Sequence, residues 1–137
     1  MTFVLDTSVA LAWCFKDEQT PTVMAVLDRL VEGGGMAPLL WPLEAMNGLF
    51  SAERRRRISG AERISFGSFL RDLPVTLDLD TAEHVWEATA ALAERFGLTI
   101  YDATYLELCV RRRLPLATLD GALRNGAKAM RIELLGA

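Results

Sequence analysis

The 137-residue chain has one histidine and two cysteines. A single imidazole excludes any scheme that needs two, and the neighbours of His84 show no ligand spacing, so it is read as a helix-surface residue. Cys14 and Cys109 fall inside apolar helical patterns and are read as small buried hydrophobes, not as a disulfide or metal pair. No uncharged run approaches the roughly 18 residues of a membrane span. The opening Met-Thr-Phe-Val-Leu-Asp has no basic leader and meets an acid at Asp6, which does not read as a signal peptide. The expected address is cytoplasmic. Glycine-rich phosphate loops are missing as well. The turn after the first apolar run reads Asp6-Thr7-Ser8-Val9 instead of Gly-x-Gly-x-x-Gly, and no Gly-Lys-Ser/Thr occurs.

Hydrophobic residues, by contrast, make up 51% of the chain, ample for a buried core with some surplus for a partner surface. Short apolar runs at Phe3–Leu5, Met36–Leu40, Val75–Leu77, Leu114–Leu119 and Arg131–Leu135 alternate with helical patterns. Thr20-Pro21 reads as an N-cap and first helical residue, and Ser59 with Glu62 has capping-box spacing. Helices are expected over Thr7–Phe15, from Pro21 to about Leu30, from Pro42 to the arginine run, from Ser59 to about Leu70, from Asp80 to Phe96, and over Tyr101–Arg113. Such alternation implies one α/β domain over residues 1–137. Its expected form is a three-layer α/β/α sandwich around a central, mostly parallel five-stranded sheet.

Four acids, Asp6, Glu44, Asp102 and Asp120, each stand where an apolar strand candidate gives way to a helix. In an open parallel sheet those edges lie on one side, where ligand sites form. Crowded carboxylates stay charged only if a cation or hydrogen bonds compensate, so the arrangement suits Mg²⁺ or Mn²⁺. Ordinary helix capping explains each acid separately, because Asp is a favoured N-cap and negative charge is favoured in a first turn. Composition and periodicity do not choose between these readings. An aspartyl-phosphate scheme of the haloacid-dehalogenase kind wants a second acid at position 8, which is Ser8, and serine–histidine chemistry has only His84 to call on.

Val4-Leu5-Asp6-Thr7-Ser8, Pro42-Leu43-Glu44-Ala45-Met46-Asn47, Leu98-Thr99-Ile100-Tyr101-Asp102-Ala103 and Leu114-Pro115-Leu116-Ala117-Thr118-Leu119-Asp120 follow one another in an order and spacing that together are specific. In these segments the chain resembles the PIN-domain ribonucleases, in particular the toxins of VapBC-type toxin–antitoxin pairs. The resemblance implies a PIN-like fold and Mg²⁺- or Mn²⁺-dependent hydrolysis of RNA. It matches Asp6, Glu44 and Asp102 to the core metal-binding acids and Asp120 to the fourth acidic position. Thr7, Ser8, Asn47 and Thr118 fall at supporting polar positions. A cognate antitoxin and a homodimer are implied as partners.

The acidic net charge of −3 gives no general nucleic-acid footprint, so RNA contacts must come from local groups. Arg54, Arg55, Arg56 and Arg57 form the strongest basic cluster, either a solvated helix end or a rim that guides phosphates. Trp13, Trp41 and Trp86 read as core or interface anchors, with Trp41 the candidate for base stacking because it precedes Glu44 closely. Two rival readings stay open at this level. One is a catalytically silent PIN-like protein-binding module; the other is a metal-dependent nuclease or phosphatase acting on another phosphoester.

Overall fold

The computed structural model describes all residues, 1–137. Its elements are β1 (Val4–Leu5), α1 (Thr7–Ala12), a 3₁₀ turn (Lys16–Glu18), α2 (Pro21–Gly33), β2 (Gly35–Pro38), α3 (Trp41–Arg54) and α4 (Gly60–Arg71). There follow β3 (Val75–Asp78), α5 (Thr81–His84), a π-helical segment (Val85–Thr89), α6 (Ala90–Phe96), α7 (Ile100–Arg112), β4 (Leu116–Ala117), α8 (Gly121–Ala129) and β5 (Leu134–Leu135). Five strands form one sheet in the order β3-β2-β1-β4-β5, with helices flanking it. Every pairing is parallel, so the sheet is wholly parallel where a mostly parallel one was expected.

The central strands are continuous apolar runs because both of their faces are covered. Phe3, Val4, Leu5, Leu116 and Ala117 have no exposed surface, and Tyr105, Leu106 and Leu108 of α7 pack into the same core. Local sequence signals set several helix starts. The Thr20 hydroxyl accepts from the Val23 amide with Pro21 in the first turn, and Ser59 and Glu62 form the reciprocal capping box. Gly97 ends α6 in the left-handed conformation that glycine adopts without strain.

Three expectations are corrected. The first helix stops at Ala12, well short of Phe15, and a 3₁₀ turn follows. The helix expected from Asp80 to Phe96 starts directly after Asp80 but is not one continuous α-helix, because the π-helical segment Val85–Thr89 divides it. Asp102 does not follow a strand: Leu98 and Thr99 are coil between α6 and α7, and α7 carries the acid inward.

The strand order descends from β3 to β1 and then jumps to β4, so the topological switch lies between β1 and β4. Crevices at such points, outside the carboxyl ends of the strands, are where open α/β sheets bind ligands. Asp6 leaves β1 at this crevice and Thr118 leaves β4 beside it, joined through the Asp6 amide to the Ala117 carbonyl at 2.9 Å.

Candidate active site

Asp6 occupies the N-cap position of α1 but makes no side-chain cap bond there. It is buried, and its Oδ2 accepts hydrogen bonds from Ser8 Oγ at 2.6 Å and Thr118 Oγ1 at 2.8 Å. Burial pushes its pKa up, opposed by those two hydroxyls and by the neighbouring amides of Ser8 and Thr7. Its Oδ1 takes no side-chain donor. Ser8 has a second task, because its Oγ accepts the Leu119 amide at 2.9 Å and so ties the end of β4 to α1.

Glu44 stands in the first turn of α3. Its Oε1 accepts Thr7 Oγ1 at 3.1 Å and the Tyr105 phenol at 2.6 Å, and Thr7 and Tyr105 lie 3.0 Å apart. The pattern repeats that of Asp6. A pair of hydroxyls is gathered on one carboxylate oxygen, and Oε2 takes no side-chain donor. Tyr105 is fully buried, and its phenol pKa is pushed up by burial and then by the negative charges of Glu44 and Asp6. It therefore stays a neutral donor.

Asp102 lies in the first turn of α7, where the true cap is Thr99, whose hydroxyl accepts the Asp102 amide at 3.1 Å. Its pKa is raised to about 6, first by burial and then by the charges of Asp120, Asp6 and Glu44. That upward push is the electrostatic signature of four acids sharing one space. Asp120 is a cap in the ordinary sense: its Oδ2 accepts the Leu123 amide at 2.9 Å, and its own amide donates to Thr118 Oγ1 at 3.1 Å.

None of the four acids has a lysine, arginine or histidine within ion-pair distance. As the side chains stand, no three acidic groups converge tightly enough to share one ion. The donor chemistry nevertheless fits a hard divalent cation: uncompensated carboxylates, two of them fixed by hydroxyls with one oxygen left over.

The remaining candidates divide. Thr7, Ser8 and Thr118 join the network, whereas Asn47 is exposed and makes no side-chain hydrogen bond to it. Trp41 is corrected: it is buried, and it lines an apolar cavity of about 550 Å³ between α3 and α4, so it offers no open stacking face. Its indole N–H is a buried donor without a partner. Trp13 is a core residue whose indole donates to the Val23 carbonyl at 2.8 Å, and Trp86 is 85% exposed. Arg54, Arg55 and Arg56 are exposed and unpaired, but Arg57 is tied to Asp17 at 3.1 Å and Glu18 at 2.9 Å. Tyr105 escaped the sequence reading. Its signal was its spacing, three residues beyond Asp102 and so on the same helix face.

A family model described as PIN domain matches residues 3–129. No curated protein sequence matches the chain. Among solved structures, PAE2754 from Pyrobaculum aerophilum is similar with a TM-score of 0.70 and 22% identity, over 98% of this chain and 83% of that one. VapBC2 from Rickettsia felis, bound to a DNA fragment from their promoter, is similar with a TM-score of 0.67 and 13% identity, over 98% of this chain and 97% of that one. At these identities the likeness is one of fold. No helix is long and apolar enough to cross a membrane.

Proposed function

Because the chain belongs to the PIN-domain family, we propose that it is a metal-dependent endoribonuclease and the toxin of a type II toxin–antitoxin pair. Family membership supports a nuclease, and the likeness to the VapBC2 assembly supports an antitoxin partner. The observation that carries the catalytic reading is the shared treatment of Asp6 and Glu44. Each has one oxygen held by two hydroxyls and the other free of side-chain donors, in a cluster with no counter-cation.

Asp6 and Asp102 would ligate the ion directly, Glu44 would ligate or orient the attacking water, and Asp120 would act through water. A bound Mg²⁺ or Mn²⁺ supplies Lewis acidity, which favours hydroxide as nucleophile and balances charge on the phosphodiester oxygens. Thr7, Ser8, Thr118 and Tyr105 hold the carboxylates in place, the role that outer hydrogen-bond partners play around metal ligands. A homodimer, an RNA substrate and a cytoplasmic address belong to the same proposal.

The test is cleavage of RNA in the presence of Mg²⁺ or Mn²⁺, with EDTA and Asp6→Asn as controls. Metal-dependent cleavage that is lost in both controls, from a variant that remains folded, is the expected result. Normal cleavage by Asp6→Asn would refute the assignment. Single-stranded DNA and a phosphomonoester in parallel separate the RNA reading from its two chemical neighbours.

A further inference from the structure

Both α1 and α3 begin beside the acids, at Thr7 and near Glu44, and the space between them forms a groove of about 320 Å³. Ser8 and Asp120 line it next to the site, and Ser51, Arg55, Phe15 and Arg57 line it further on. On the α3 wall Gly48 and Arg55 stand seven positions apart, a span of about 10 Å at helical rise. The groove therefore leads from the reaction centre outward by roughly one nucleotide, at the lower end of the usual size of ligand clefts.

Charge decides what this groove accepts. Asp120 and Glu18 are on its wall, and an anion entering it meets their repulsion. Arg57 does not offset that, because it is bound by Asp17 and Glu18 and lies over the Phe15 ring with 4.3 Å to its centroid. It is a fixed wall whose charge is already answered. Arg55 is exposed at the C-terminal end of α3, and its side chain makes no hydrogen bond or ion pair. Among the lining residues it is the one cation with its charge still to place. Arg54 and Arg56 are equally unpaired but do not line the groove.

We propose that this groove seats the nucleotide adjacent to the cleaved bond, in single-stranded RNA, with Arg55 on its phosphate. The inference rests on the ribonuclease reading above and names the part of the substrate it would hold. The cleft is too small for a base-paired helix, and the Phe15 face is already covered by Arg57, so no aromatic platform is open to a base. Recognition here is of the backbone, which positions the strand without reading its sequence.

The experiment compares Mn²⁺-dependent cleavage of a short fluorescent single-stranded RNA by wild type, Arg55→Ala, Arg55→Lys and Arg112→Ala across a salt series. Arg112 is an exposed arginine at the end of α7, outside the groove. Losing one phosphate contact predicts for Arg55→Ala a KM raised about tenfold with kcat nearly kept, and a salt slope smaller by about 0.7. Arg55→Lys should recover part of the KM, and Arg112→Ala should leave both quantities unchanged. An effect of Arg55→Ala no larger than that of Arg112→Ala, or matched by Arg54→Ala and Arg56→Ala, would overturn the groove while the ribonuclease reading stands. Absence of metal-dependent RNA cleavage by the wild type would overturn both.

Discussion

The Tyr105 phenol donates at 2.6 Å to Oε1 of Glu44, a residue 61 positions away in sequence and on a different helix. Thr7 reaches the same oxygen from α1, so three elements converge on one atom. This fixes the rotation of the carboxylate and leaves its other oxygen without a side-chain donor. Tyr105→Phe keeps the buried ring and removes only the donor. A hydrogen bond to a charged group contributes about 1.5–3 kcal/mol, so kcat of metal-dependent cleavage should fall by about tenfold or more, with KM little changed. Thr7→Val should act in the same direction and less strongly. Wild-type kcat in Tyr105→Phe would show that the phenol does not orient Glu44.

Asp102 makes the metal-free protein sensitive to pH. Its folded pKa of about 6 lies above its ordinary value of 3.8, because burial and the charges of Asp120, Asp6 and Glu44 oppose ionisation. Between those two values the native state binds more protons than the unfolded state, so stability falls as pH rises and levels off above about 6. Without screening the shift corresponds to about 3 kcal/mol, and partial exposure reduces this to about 1–2 kcal/mol. Thermal melts in EDTA should therefore give a higher Tm at pH 5 than at pH 7. Asp102→Asn should flatten that difference and melt higher than wild type at pH 7. A wild-type Tm that rises over this interval would contradict the account.

Asp6, Glu44, Asp102 and Asp120 were legible in the sequence because each lies at the start of a helix within a recognisable segment, and α/β topology sends most such starts to one edge. The capping explanation holds for Asp120 and the first-turn reading for Glu44; Asp6 stands at an N-cap position without a cap bond, and Thr99 caps the helix that carries Asp102. The pairing of hydroxyls was not legible. Ser8 meets Asp6 locally, two residues on, but Thr118 lies 112 positions away and meets it only because β1 and β4 are neighbours, a fact of strand order. Trp41 was misread for a related reason. Its closeness to Glu44 in sequence suggested an open stacking surface, whereas its side chain is buried in the packing between α3 and α4, where the core-anchor reading holds.

Ser8 and Thr118 both bind Asp6 Oδ2, and each hydroxyl also accepts one backbone amide. Thr118→Val keeps shape and removes one donor from Asp6, as well as the acceptor for the Asp120 amide. It acts on cleavage through Asp6 and on stability through the stranded amide. Ser8→Ala also strands the Leu119 amide, which bonds to Ser8 Oγ at 2.9 Å. The cost of an unsatisfied buried donor is about 1–3 kcal/mol. Urea denaturation should therefore show both variants destabilised by about 1–3 kcal/mol, and a wild-type midpoint in Ser8→Ala would mean that the Leu119 contact carries little.

Away from the acids, Arg111 lies between two buried carboxylates. Its Nη2 is 2.5 Å from Asp78 Oδ2, and its Nε is 2.7 Å from Glu107 Oε1. Asp78 ends β3 and Glu107 belongs to α7, so one guanidinium joins the sheet edge to the helix that carries Asp102 and Tyr105. Burial alone would raise the Asp78 pKa, but Arg111, the Asp80 amide and Thr81 hold it below its ordinary value. A carboxylate with a lowered folded pKa contributes stability above its unfolded value, and that contribution is lost as pH falls through the folded one. Arg111→Ala leaves Asp78 without a cation and Glu107 with only the His84 Nδ1 at 3.6 Å, and breaking a buried pair costs about 3–5 kcal/mol. The loss should be greatest near pH 7 and should shrink below about pH 4, where Asp78 in the variant takes up a proton. Urea midpoints of wild type and Arg111→Ala at the two pH values measure this directly. Equal losses at both would mean that Arg111 acts through the packing of its aliphatic stem instead of its charge.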